Sequence, residues 1–179
     1  MKKLLLFFTF CLIIMLSSCT KNNTEKVLDD LRDHSNFLYD LNSTVTDDMK
    51  FKFVEFPGFG MYTLVDSSID INQDDIWLFM LENPTTYYDV SGYPDCLDSE
   101  VITRIYTSDP SIYVYDYSVG DTYDDSDILS IMASKGFEKI EDSEYAFKNE
   151  DVMIRFMCTK EGVIYQISVS LVSTCDVIF

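Results

Sequence analysis

The chain opens with Lys2 and Lys3 and then an apolar run from Leu4 to Leu16, interrupted only by Thr9. About 13 positions are too few for a bilayer-spanning helix, which needs about 20, so the run predicts a cleaved targeting segment. Residues 20–24 are polar, a short tether. From Asn22 the pattern turns helical: Val27, Leu28, Leu31, Leu38 and Leu41 fall largely on one stripe, and Asn22 and Glu25 stand in a capping-box relation. The period drops to two at Phe51 to Phe56, breaks at Pro57-Gly58-Phe59-Gly60, and resumes from Met61 to Val65. That is the signature of a β-hairpin. Ile69 to Ile71 is a short extended piece.

The interior carries a weak internal repeat. Asp75 to Pro84 and Asp127 to Gly136 each begin behind acidic residues able to cap a helix, and each stops at Pro or Gly. Strand-type sequence follows both, and Val101-Ile102-Thr103-Arg104-Ile105-Tyr106 matches Val163-Ile164-Tyr165-Gln166-Ile167-Ser168 in pattern. The second unit holds three strands, Tyr145 to Lys148, Val152 to Met157 and Val163 to Val172, with turns at Asn149-Glu150-Asp151 and Lys160-Glu161-Gly162. Together the elements predict an α+β fold: an antiparallel sheet with packed helices, arranged as two tandem helix–β-hairpin units. The expected divisions are 1–18 (signal peptide), 19–24 (tether), 25–68 (helix and hairpin), 69–117 (first unit) and 118–179 (second unit).

Two tyrosine-rich stretches stand out. Tyr113, Tyr115 and Tyr117 alternate with Ile112, Val114 and Asp116, so one strand would place the three rings on one wettable sheet face with the aliphatic residues inward. Tyr87, Tyr88 and Tyr93 sit beside Gly92 and Pro94, where they could either cover the edge of the core or form a rigid contact patch. These six tyrosines are the candidate partner-binding residues.

Charge narrows the partners. Thirteen Lys and Arg face 31 Asp and Glu, a formal net charge of −18 that becomes −20 once Lys2 and Lys3 leave with the targeting segment. Such a chain excludes nucleic acid and charge-driven binding to an anionic membrane surface. It would suit a basic partner, or solubility near an anionic envelope. Twelve tyrosines and thirteen phenylalanines supply ample apolar surface for a core.

The run ends in Leu16-Ser17-Ser18-Cys19. Small residues immediately before a cysteine, behind a basic and then an apolar region, resemble the lipobox of bacterial lipoproteins. The resemblance implies cleavage after Ser18 and a diacylglyceryl group on the Cys19 thiol. Two acyl chains satisfy the two-signal condition for stable anchoring, at about 0.8 kcal/mol per buried CH₂. It places the protein at the cell membrane, extracytoplasmic and lipid-anchored. Cys11 leaves with the targeting segment. Of the rest, Cys96, Cys158 and Cys175 have neither CxxC redox nor zinc spacing; an odd number in an oxidising compartment allows one disulfide and one free thiol, but three reduced thiols are the expectation, with Cys158 lying opposite Val163.

Further on, Val119-Gly120-Asp121, the acidic helix ending in Lys135-Gly136-Phe137, and the strands after it resemble small extracytoplasmic lipoprotein domains of Gram-positive bacteria. Their helix-plus-strand units are similar to the repeats of β-lactamase inhibitor protein and to the SmpA/OmlA outer-membrane lipoproteins. The likeness spans residues 70–172, with Asn83 where that group has glycine. It implies a fold and a binding-module role.

No catalytic set assembles from the remaining residues. GxSxG, Walker and HExxH patterns are missing from the sequence, and its one histidine, His34, reads as a solvated residue on a charged helix. Asp121, Asp124, Asp125 and Asp127 could be a calcium loop, but Ser126 stands where the sixth-position glycine belongs, and helix capping uses the same acids. The expectation is therefore a non-enzymatic protein with no cofactor and no metal, binding the bilayer through acylated Cys19 and an envelope or secreted protein through its domain. Two other readings fit these features. One is an inhibitor of an extracytoplasmic hydrolase, presenting Ser91 to Asp98 as an exposed loop. The other is a small carbohydrate-active enzyme with two carboxylates across a cleft.

Overall fold

A computed structural model of the protein describes residues 23–46, 49, 51–55, 62–66, 83–90, 101–141, 143 and 145–172. Helix α1 (residues 23–33) leads into strands β1 (Phe51–Glu55), β2 (Tyr62–Asp66), β3 (Thr86–Val90) and β4 (Ile102–Thr107). After the short β5 (Tyr113–Val114) and β6 (Tyr117–Ser118) come helix α2 (Asp125–Ser134), β7 (Glu138–Lys139), β8 (Ala146–Asn149), β9 (Val152–Cys158) and β10 (Ile164–Leu171). One antiparallel sheet runs β1-β2-β3-β4-β10-β9-β8-β7, and β5 and β6 form a separate hairpin. The fold is α+β, and the segments before and after residue 118 share this one sheet.

The hairpin expected from Phe51 onward is β1 paired with β2, Phe53 opposite Leu64. Strands β4 and β10, the two segments matched in the repeat, lie side by side, with Ile105 opposite Val169. Each has isoleucines three apart, a spacing that would put them on opposite faces of a regular strand. A register shift resolves this in both. In β4 the ladder with β3 passes from Arg104 to Ile102, skipping Thr103. In β10 the ladder with β9 passes from Gln166 to Ile164, skipping Tyr165. The extra residue turns Ile102 and Ile105, and likewise Ile164 and Ile167, to the same side, and all four are fully buried. Burying an isoleucine is worth about 1.5–3 kcal/mol, so a slip that exposed them would be prohibitive and the register is fixed.

Helix α2 starts where Asp124 accepts hydrogen bonds from the backbone N–H groups of Ser126 (2.9 Å) and Asp127 (3.2 Å). Asp125 and Asp127 lie in its first turn, at the positive end of the helix dipole. It buries Ile128 and Met132, one turn apart, and stops at Gly136, whose φ of 78° lies in the left-handed region. From α1, Val27, Leu28 and Leu31 join the same core, which also takes Phe147, Ile154, Phe156, Ile167 and Val169 from one face of the sheet.

Three expectations change. The helical stripe stops earlier than its periodicity implies: α1 ends at 33, Ser35 forms a bridge to Val114, and Leu38 is 70% exposed beyond the helix. Cys158 pairs with Ile164 rather than Val163, because the β9–β10 turn closes on Thr159, whose N–H donates to the Val163 carbonyl at 2.8 Å. The tyrosine ladder is not a strand. Tyr113 and Val114 pair back onto Ser118 and Tyr117, and the two residues between, Tyr115 and Asp116, have φ of 48° and 70°. Positive φ at both central positions is the type I′ hairpin arrangement. The turn splits the three rings: Tyr113 is 38% exposed, while Tyr115 and Tyr117 are 2% and 7% exposed and belong to the core. Val114 is also fully buried, so rings and aliphatics do not segregate by face. The first helix of the proposed repeat, expected over Asp75 to Pro84, lies outside the described residues except for Asn83 and Pro84, and Cys19, Tyr93, Cys96, Cys175 and the whole loop at 91–98 lie outside them too.

Candidate functional site

The sheet's second face, away from the core, is built by pairing register. One row crosses β3, β4, β10, β9 and β8 as Asp89, Arg104, Ser170, Met153 and Lys148; the next crosses as Tyr87, Tyr106, Ser168, Arg155 and Ala146. Small side chains run up β10, with large ones on either side, so Ser168 and Ser170 form the buried floor of a shallow trough. Tyr87 and Tyr106 stack across the strands with ring centroids 4.7 Å apart and planes 17° from parallel. Gln166 Nε2 donates to the Tyr87 hydroxyl at 2.9 Å, and Arg104 Nη1 donates to the Tyr106 hydroxyl at 2.6 Å. Loss of solvent raises the pKa of both phenols above the ordinary tyrosine value, Tyr106 further under the nearby Asp89 charge. Both hydroxyls therefore stay protonated at neutral pH. Having accepted an N–H, each can still donate its own proton outward.

In a strongly acidic chain this face is an exception. Arg104, Arg155 and Lys148 share it with Asp89 and, at the β7 edge, Glu138. Tyr, Arg and Met are the residue types enriched where proteins meet, whereas Lys and Glu are depleted there.

A second constellation ties three elements together. Tyr115, projecting from the β5–β6 turn, donates its hydroxyl to Asp30 Oδ2 on α1 at 2.9 Å. Lys135, capping the carboxyl end of α2, places Nζ 3.1 Å from Asp30 Oδ1, 3.1 Å from His34 Nε2 and 5.5 Å from the centre of the Tyr115 ring. His34 stacks on that ring at 5.7 Å, with Nδ1 2.8 Å from the Asp30 carbonyl oxygen. The donor–acceptor pattern assigns the neutral tautomer: Nδ1–H donates to the carbonyl, and the Nε2 lone pair accepts from the ammonium. Burial first, then the Asp30 hydrogen bond and charge, pushes the Tyr115 phenol far above its ordinary value. His34, expected to be solvated, has a side chain 42% exposed and is also hydrogen-bonded on both ring nitrogens.

The other candidates have structural employment. Tyr88 is buried edge-on against Tyr39, and burial raises its pKa to about 12. Tyr117 packs edge-on against Phe156 and donates to Asp127 Oδ2 at 2.6 Å. Tyr113, at the exposed side of its hairpin, donates its N–H to Asn36 Oδ1 at 2.8 Å. Among the clustered aspartates, Asp121 accepts from the Ser118 N–H and Asp124 caps α2. Asp125 meets Lys139 at 3.3 Å and Asp127 holds Tyr117. Beside α1 a depression of about 330 Å³ is lined by Glu25, Asp29, Asp40 and Arg32, whose guanidinium bonds Asp40 at 2.7 Å and Asp29 at 3.0 Å. Cys158 is a half-buried free thiol, its pKa raised by burial.

Of the five described tyrosines among the six singled out in the sequence, Tyr87 alone faces the trough together with Arg104 and Tyr106, residues that the strand pattern had marked only as β-type. Alternation of Arg104 and Tyr106 with buried Ile105 was the available signal. Comparison with protein-family models, curated proteins and solved structures finds no match to this chain.

Proposed function

We propose that the protein is a lipoprotein held at the extracytoplasmic face of the cell membrane by acyl chains on Cys19, its domain serving as a non-catalytic protein-binding module. The observation that carries the anchor is Leu16-Ser17-Ser18-Cys19 at the end of a basic-then-apolar segment too short to span a bilayer. Only three residues separate Cys19 from residue 23, where the described part of helix α1 starts, so the anchor would hold the domain close to the lipid. A Cys19→Ala variant loses its fatty-acid label and appears in the medium; retention of that variant in the membrane contradicts the anchor.

The binding surface is the trough on the second sheet face, and its partner is a protein offering carboxylates to Arg104 and Arg155. The chain's overall negative charge opposes such a partner only at long range, because screening acts over about 8 Å at physiological salt and contact is decided locally. The two phenol hydroxyls supply further donors, and the stacked rings supply rigid contact area. Arg155 is exposed, so Arg155→Glu reverses a contact charge without touching the core. Full-length protein in mild detergent should capture a partner from envelope extract that the Arg155→Glu form does not. Equal capture by both forms rules out this face.

A further inference from the structure

The chain has one histidine, and the fold places it in the only polar network that links α1, the β5–β6 turn and the end of α2 among the described residues. We propose that His34 makes this network a proton-operated clasp, closed when the imidazole is neutral and loosened when it is protonated. The reason is geometric. In the closed form Nε2 is an acceptor with the Lys135 ammonium 3.1 Å away. A proton on Nε2 turns the contact into two donors facing each other, each carrying positive charge, and the lysine has to leave.

Everything charged or titratable around the ring has a defined effect. On α1, Asp30 lies 3.5 Å from Nδ1 and attracts the imidazolium, while Asp33 is exposed. From α2, Lys135 repels it. From the hairpin, Tyr115 is neutral and offers its ring face, and Asp116 is the exposed turn residue beside it. Protonation therefore does not expel His34, which keeps Asp30; it expels Lys135 from the imidazole. Lys135 retains Asp30 Oδ1 as a partner but loses its seat between the imidazole and the Tyr115 ring. What loosens is the junction between the carboxyl end of α2, the hairpin turn and α1.

The turn is suited to such a device. Tyr115 and Asp116 both hold left-handed backbone conformations that cost of order 1 kcal/mol each outside glycine. The contacts of Tyr115 with Asp30, His34 and Lys135 are among those that hold it there. Weakening them returns the turn toward its unstrained alternatives. Because α1 is the element closest to the amino-terminal segment among the described residues, the clasp couples external pH to the fit between that helix and the rest of the domain. The proposal stands on these distances and is independent of what the sheet face binds.

The test uses the full chain in detergent micelles, with ¹³C-labelled histidine, lysine and tyrosine, titrated from pH 8 to pH 5. This is the range in which imidazole is the ordinary titrating side chain, and the single histidine gives one imidazole signal. The Lys135 side-chain and Tyr115 ring signals should move with the same midpoint as His34. Hydrogen-exchange protection of α1 and hairpin amides, corrected for intrinsic rates, should fall from pH 8 to pH 5 in the wild type and stay level in His34→Gln. Flat Lys135 and Tyr115 signals through the His34 titration overturn the clasp, and the wild-type titration decides this even if a variant does not fold.

Discussion

Tyr115 and Asp30 meet through a 2.9 Å hydrogen bond across 85 residues of sequence, joining a hairpin turn to helix α1. Hydrogen bonds to charged groups are worth about 1.5–3 kcal/mol, but Asp30 is partly solvated and water can replace part of this one. Tyr115→Phe should therefore cost about 1 kcal/mol in urea unfolding. Tyr115→Ala, which also removes a buried ring, should cost about 3 kcal/mol or more. Equal costs for the two variants would mean that the ring contributes nothing beyond its hydroxyl.

Gly136 ends α2 at a φ of 78°, and a Cβ built there would stand 3.0 Å from Asn149 Nδ2. Asn149 donates to the Lys135 carbonyl at 3.1 Å, so it cannot retreat without breaking the bond that closes the helix end. Gly136→Ala should lower stability by about 1–2 kcal/mol, the left-handed penalty plus a strained contact. A loss below half that amount would show that the helix end relaxes freely.

Burial raises the pKa of Tyr87, Tyr115 and Tyr117 in the folded state, and Asp30 and Asp127 raise the last two further. The folded protein thus favours the neutral phenol. This contribution is fully present below the ordinary tyrosine value of about 10 and is lost as pH rises above it toward the folded values. Urea midpoints should fall steeply above about pH 10, and less steeply in Tyr115→Phe.

Asp124 behaves in the opposite sense. Its hydrogen bonds from the Ser126 side chain and from the Asp127 and Ser126 backbones lower its pKa in the folded state. Its contribution is present above the ordinary carboxylate value and disappears as pH falls through the lowered one. Asp124→Asn keeps an acceptor without the charge, so its stability curve should be flatter than the wild type below about pH 4.

The residues explain which parts of this fold the chain announces. Caps, stops and periodicity mark α2 and the strands around it because Asp124, Gly136 and the alternating positions of β8 and β9 act locally. The matched isoleucines of β4 and β10 signal a strand pair, though their three-residue spacing makes sense only once each strand's bulge is seen. The β5–β6 turn escapes reading because its central residues are Tyr and Asp rather than Asn-Gly, and the left-handed tyrosine is held by tertiary contacts with α1. The trough escapes for a related reason: Tyr87, Arg104, Gln166 and Arg155 come from four strands, and pairing register alone makes them neighbours.

The most direct measurement on the central claim is the mass of the amino-terminal peptide of the membrane-extracted protein. The account predicts a chain beginning at Cys19 and carrying a diacylglyceryl group, whose ester-linked acyl chains are lost on alkaline hydrolysis to leave the glyceryl thioether on Cys19. A chain that retains residues 1–18, or one cleaved elsewhere with a free Cys19 thiol, would contradict it.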